Sequence, residues 1–214
     1  MELTTTTKNL TSLELHPPAK FYTIKNEIRI LGIDDAPFRF KQKENVLVVG
    51  VIFRGGSFLD GVVSTEVRVD GKDATDKVIE LIKKLRFKDV RILMSDGLSL
   101  GGFNMLDIHR IFKTTGIPVI VVTRDLPDMK KIKAALMHLP DFEWRWDCIL
   151  KAGKPVPVTI RDNKHIYIQF AGLEEKDASE IVKLSATRSL LPEPIRVAHL
   201  IAQGIILGQS RGKA

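Results

Sequence analysis

Apolar positions along the chain follow two rhythms. Short blocks, unbroken or alternating, are bounded by Gly, Pro or Asp, and longer stretches place apolar residues every three or four positions. The first rhythm predicts strands and the second helices. Ile28 to Phe38 (IRILGIDDAPF) reads as a strand, with Gly32 allowing close backbone approach and Pro37 ending the ladder. Asn45 to Arg54 is an uninterrupted apolar run, as expected of a strand covered on both faces. Gly55-Gly56 turns the chain, and Gly61 to Val69 alternates with Val63, Thr65, Val67 and Val69 on one face. These three segments predict an antiparallel meander.

Helical spacing then sets in. Asp73 to Arg86 carries Val78, Leu81, Ile82 and Leu85 on one stripe, with Asp73 or Thr75 as its cap. Val90 to Ser95 is a strand running into Asp96-Gly97, and Gly97 to Gly102 is a glycine-rich loop. Asn104 to Lys113 is expected to be a helix with Met105, Ile108, Ile111 and Phe112 inward, stopped by Gly116. Pro118 to Thr123 reads as a buried strand, Asp128 to Leu139 as a helix basic on one side, and Lys151 to Pro157 as a turn region. His165 to Phe170 is a strand and Lys176 to Thr187 an amphipathic helix; a last helix follows Pro192-Glu193-Pro194 to about Leu207. Three strands followed by strand–helix alternation predict an α/β fold: a mixed central sheet, its first three strands antiparallel, flanked by helices. Residues 1–24, Thr-rich and carrying Pro17-Pro18, read as a flexible arm, and 25–214 as a single domain.

Composition narrows this picture. No apolar run nears the ~20 residues that span a bilayer, and the start lacks a basic-then-apolar leader, so no membrane partner and a cytoplasmic location are expected. The one cysteine, Cys148, excludes an internal disulfide and a cysteine-based zinc site. A net charge of +7 and a pI near 9.5 favour a polyanionic partner. Trp144 and Trp146 read as packing residues rather than a base-stacking platform.

Candidate chemistry lies where strands end in acids. Asp34 and Asp35 stand where the first apolar strand emerges from the core, and Asp96 stands in the same place after Val90 to Ser95. Side chains alternate along a strand, so one of Asp34 and Asp35 points into a cleft and the other away. Charged groups placed there must be paired, hydrogen-bonded or bound to a cation.

Beyond the acids, RSLLPEPIRVAHLIA (Arg188 to Ala202) closely follows the endonuclease V signature of Leu-Pro-Glu-Pro, an Arg two residues on, and then Ala-His. Gly32-Ile33-Asp34, Asp96-Gly97 and the strand ending at Arg124, where that family has Lys, fit the same pattern. The chain thus resembles the endonuclease V branch of the ribonuclease H-like fold. It is most similar to a group of archaeal proteins known as domain of unknown function 99, over roughly Lys25 to Ala214.

The resemblance implies phosphodiester hydrolysis on DNA or RNA with Mg²⁺, or Mn²⁺, held by carboxylates. Carried over by position, Asp34 is the first ligand and Asp96 the second. The third acid of the family is a Glu just before the first helix, where Asp73 stands, with Asp70 and Asp76 as alternatives; Asp35 is the alternative to Asp34. Arg124 is expected at a phosphate or, equally, in a surface ion pair with Asp125 or Asp128, and Phe103 with the glycine loop at a base or other ligand. His199, on an apolar helix, reads as a packing residue, and Glu193 with Arg196 as positioning the last helix. The departures are equally specific. STEVRVDGKD has neither the proline nor the aromatic residue of the family's strand-parting wedge. Its His-Pro-Arg after Asp-Gly is replaced by Leu100-Gly101-Gly102-Phe103, and Ala171-Gly172 stand where it has a histidine. A second reading is therefore a nucleic-acid-binding protein that keeps the fold without catalysis.

Overall fold

The structure, a computed structural model, describes residues 18–38 and 44–210. Most of the expected arm (residues 1–17) and residues 211–214 lie outside the described residues. Three antiparallel strands come first: β1 (Arg29–Asp35), β2 (Asn45–Arg54) and β3 (Phe58–Arg68). Helix α1 (Ala74–Lys84) leads to β4 (Ile92–Asp96), which lies parallel to β1. A small hairpin, β5 (Ser99–Leu100) and β6 (Asn104–Met105), precedes α2 (Ile108–Thr115) and β7 (Val119–Thr123), parallel to β4. Helices α3 (Met129–Leu136) and α4 (Phe142–Lys151) follow, then the antiparallel pair β8 (Val156–Arg161) and β9 (Lys164–Ala171), then α5 (Glu175–Ser185) and α6 (Glu193–Leu207). The main sheet has the order β3-β2-β1-β4-β7-β9-β8.

The period of two in the central strands sorts the core into two layers. Leu31, Ile33, Val48, Ile52, Leu93 and Val119 face α1 and α2 through Val78, Ile79, Ile82, Ile108 and Ile111. Ile30, Ile92, Met94, Ile120, Val122 and Ile168 face α5 and the start of α6 through Ile181, Val182 and Ile195. On the same side, Ala198 and Ala202 of α6 lie on Val49, Val51 and Phe53 of β2. Gly32 allows this fit. A Cβ there would stand 2.4 Å from the Pro194 carbonyl carbon, so only glycine lets the helix come this near to β1.

Two expectations are corrected. The helix expected from Asn104 starts at Ile108, because Asp107 caps it by accepting from Arg110 N–H at 2.9 Å. Asn104 is used elsewhere: its side-chain oxygen accepts from Ala74 N–H at 2.9 Å and so caps α1 in place of Asp73. The supposed turn region of residues 151–157 runs into β8, with Pro157 inside the strand. Proline is tolerated there because β8 is the outermost strand. The tryptophans pack as expected. Trp144 and Trp146 cover a small cluster of Met105, Leu136, Cys148 and Ile149, and Phe142 stacks on Trp146.

Candidate metal centre

The parallel register Ile30↔Ile92, Gly32↔Met94, Ile33↔Ser95 brings Asp34 level with Asp96 on the adjacent strand. Both belong to the even-numbered set that faces α6, so their carboxylates open on the same side. A third group comes from α6. His199 Nδ1 lies 2.6 Å from Asp34 Oδ2, and Gln203 Nε2 lies 2.9 Å from His199 Nε2. An ionised carboxylate only accepts, so Nδ1 donates to Asp34 and Nε2 accepts from the Gln203 amide. One donor atom each from Asp34, Asp96 and His199 fall within 4.8 Å of one another, a group able to hold a metal ion. Asp34 also accepts from the Asp35 N–H at 2.9 Å, which fixes one carboxylate oxygen.

The electrostatics are those of buried acids set close together. Burial, reinforced by the charge of Asp34, pushes the Asp96 carboxyl up to about 6, against the pull of His199 and Arg124. Burial also raises Asp34, with Asp35 adding to the shift and the His199 hydrogen bond opposing it. His199 is raised by its hydrogen bond to Asp34, against burial. Each of the three thus binds protons more tightly than in water, the two carboxyls chiefly because they are buried and His199 because of Asp34.

The other candidates are placed as follows. Asp35, next along β1, points to the opposite layer; burial raises its carboxyl, and the Gly101 N–H opposes the rise. Asp73 Oδ1 accepts from Asn104 Nδ2 at 2.6 Å and from Arg68 N–H at 3.2 Å, outside the group of three. Asp70 Oδ1 accepts from Phe103 N–H at 2.8 Å, and Asp76 pairs with Arg110 at 2.5 Å. Both Asp70 and the glycine loop are held from below by Arg145. This fully buried guanidinium donates to the carbonyls of Pro140, Gly71, Asp70 and Phe103. The Phe103 ring rests on the cluster beneath α3 and α4. Arg124, at the end of β7, is exposed and close enough for its charge to lower Asp96 and His199. The ion pairs with Asp125 or Asp128 that would make it a surface residue are absent among the described residues; Asp128 caps α3 and pairs with Lys131.

His199 is the residue the sequence reading set aside. Its signal was the Ala-His of the C-terminal signature, outweighed by the apolar helix around it. The companion expectation holds: Glu193, buried at the start of α6, accepts from Arg196 at 2.6 Å and from Arg188 N–H at 3.2 Å, which fixes the entry of the helix.

With this geometry in view, comparison with known proteins is specific. The sequence model for endonuclease dU matches residues 26–206. The chain belongs to the endonuclease dU family. A UPF0215 protein of Methanothermobacter thermautotrophicus is 52% identical to this family member over 208 residues, covering 96% of this chain and 100% of the relative. Among solved structures, a protein of unknown function from Archaeoglobus fulgidus superposes with a TM-score of 0.75 at 40% identity, over 83% of this chain and 98% of that one. Endonuclease V of Bacillus subtilis superposes with a TM-score of 0.56 at 15% identity, over 86% of this chain and 82% of that one. At that identity the likeness speaks for the fold alone, and it is the ribonuclease H-like fold of endonuclease V expected from the sequence. No described helix is long and apolar enough to cross a membrane.

Proposed function

We propose that this endonuclease dU family member is a divalent-metal-dependent endonuclease that hydrolyses a phosphodiester bond of a nucleic acid, with deoxyuridine in DNA as the feature recognised. The observation that carries this reading is the convergence of Asp34, Asp96 and His199, from β1, β4 and α6, within 4.8 Å at one end of the sheet. The substrate follows the family's name; the sequence taken alone leaves DNA and RNA equally open.

The donor set suits a hard or borderline cation. Two carboxylates are the usual anchors of Mg²⁺ or Mn²⁺, and Mn²⁺ also accepts imidazole nitrogen. Asp34 and Asp96 would hold the ion through one oxygen each, and His199, whose Nδ1–H is given to Asp34, would keep that carboxylate aimed from behind; it would become a third donor only with that proton gone. When bound, such a cation would polarise the phosphate and ease loss of a proton from the attacking water. The protein's own groups supply the rest. Arg124 is free to meet a phosphate oxygen with its planar fork. His199, held between Asp34 and Gln203, can move a proton at Nδ1 without reorienting its ring.

The test is cleavage of labelled strands: deoxyuridine-containing, inosine-containing and unmodified DNA, single- and double-stranded, and structured RNA. Each is incubated with Mg²⁺, Mn²⁺ or chelator. Metal-dependent cutting at the deoxyuridine strand, lost in Asp34→Asn, is the expected outcome. Binding without cutting under every ion, unchanged in Asp34→Asn, would favour the non-catalytic binding protein instead.

A further inference from the structure

Helix α6 runs in the same direction as β1. Pro194 lies on Gly32 and His199 on Asp34, so five residues of helix accompany two of strand. Those lengths agree, about 7.5 Å of helix against about 6.6 Å of strand. β1 then ends at Asp35 and β4 at Asp96, whereas α6 goes on to Leu207, about 12 Å past His199. The helix therefore projects beyond the two acids at the carboxyl end of the sheet.

The projecting end is apolar and unpacked. Ile205 continues the stripe of Ala198 and Ala202, both fully buried against β2, yet it is 60% exposed. The stripe has run past the surface that covers it. Ile206 follows His199 by seven residues, so the two share a bearing on the helix to within about 20°. It is 49% exposed, and Leu207 beside it 48%. None of these three belongs to a core cluster among the described residues. Gln203, whose amide meets His199 Nε2, stands between them on the same side. The face that carries His199 into the candidate metal centre thus ends, two turns on, in a bare isoleucine.

Position limits what this end can meet. Nucleotides follow one another every ~3.4 Å along a duplex strand, so a phosphate held at Asp34 and Asp96 would have about three neighbours within the ~10 Å from His199 to Ile206. Phosphates and ions gain nothing from an aliphatic side chain. The faces of bases do, where stacking has been opened, and isoleucine is among the apolar side chains that enter such steps. The net charge of +7 draws the polyanion on which the contact depends.

We propose that the overhanging end of α6 meets nucleic acid, with Ile206 packed against, or entering, a base step next to the bond that is cut. Ile205 stands beside it as a secondary contact. The nucleic acid and the cut rest on the nuclease reading above. The contact itself makes weakly stacked steps, such as those beside a mispaired or altered base, the preferred ones.

The experiment follows a fluorescent adenine analogue, quenched by stacking, placed next to a deoxyuridine in a duplex. Full-length protein is titrated in the presence of chelator, so that nothing is cut. A rise in emission on binding is expected. Ile206→Ala should weaken binding about 10-fold, as loss of most of a buried aliphatic side chain does, and should lose most of the rise. Ile206→Leu, which keeps the bulk, should retain both. Folding is followed by circular dichroism and by the thermal shift on adding Mn²⁺, both of which Ile206→Ala should leave in place. No rise with the parent protein, or an equal rise in folded Ile206→Ala, overturns the proposal. Light scattering covers the remaining occupant: a parent dimer that Ile206→Ala turns into monomers, with the rise intact, makes this end a contact between copies and also overturns it. An Ile206-dependent rise in a protein that cuts none of the substrates upholds the contact and removes the nuclease reading. Metal-dependent cutting without an Ile206-dependent rise does the reverse.

Discussion

His199 Nδ1 donates to Asp34 Oδ2 at 2.6 Å across 165 positions of sequence, joining the first strand to the last helix. A partner that orients a ligating carboxylate typically governs 10- to 100-fold in metal affinity or activity. His199→Ala should therefore lower Mn²⁺ affinity and cleavage by about that factor. Titration calorimetry with Mn²⁺, beside a cleavage assay at saturating ion, separates lost binding from a lost proton transfer.

Asp96→Asn should act in opposite directions on chemistry and on stability. It removes a proposed ligand, so metal-dependent cutting should vanish. It also removes a carboxylate that burial and Asp34 make costly to ionise. The metal-free variant should be more stable than the parent at neutral pH by about 1–2 kcal/mol, allowing for the partial exposure of the group. Urea unfolding in the presence of chelator measures this directly.

The same shift sets a pH dependence. The Asp96 carboxyl sits at about 6 in the folded protein against an ordinary value of 3.8, so folding favours its protonated form. A native state that holds the proton more tightly gains stability as pH falls through about 6 toward 4 and loses it as pH rises. Asp34 and Asp35 are shifted the same way, and His199, raised by Asp34, adds stability below its ordinary value that is lost above its folded one. The metal-free protein should therefore melt higher near pH 5 than near pH 8. Mn²⁺ affinity should run the other way and strengthen through pH 6, because the ion must displace the protons.

Gly32→Ala should unseat α6. The added methyl would lie 2.4 Å from the Pro194 carbonyl carbon and 2.5 Å from its Cβ, so the helix or the strand must move. Overpacking of this kind costs about 1–3 kcal/mol. Since α6 carries His199, a lower melting temperature should come with weaker Mn²⁺ binding, whereas a stability loss elsewhere would leave the ion's affinity unchanged.

Arg124→Ala should weaken binding of all sequences about equally and reduce the slope of log affinity against log salt by about one, the mark of one lost phosphate contact. Mn²⁺ binding should persist, because Arg124 is not among the three groups of the candidate metal centre.

Most of the architecture could be read from periodicity. The meander, the alternation after it, and the acids at the ends of β1 and β4 follow from apolar runs that stop at Asp. Gly32 was legible as a close-approach position, but not what approaches, since Pro194 lies far along the chain. β8 was hidden by Pro157, because edge position is a property of the finished sheet. The start of α2 was misplaced because Met105 fits a helical stripe, while Asn104 is held by the start of α1. His199 was obscured for a similar reason: on a helix with buried alanines and isoleucine, only the position of β1 beneath it distinguishes a site group from a packed one.

Asp34 and Asp96 are neighbours across a hydrogen-bonded ladder, level with each other on adjoining parallel strands. The gap between their backbones is thus fixed near the ~4.8 Å repeat of any sheet and does not depend on loop sequence. The main chain sets where the two acids start from, and their side-chain rotamers set how far apart the oxygens end. The backbone spacing of the two acids is inherited from strand pairing, and drift in the surrounding loops leaves it unchanged.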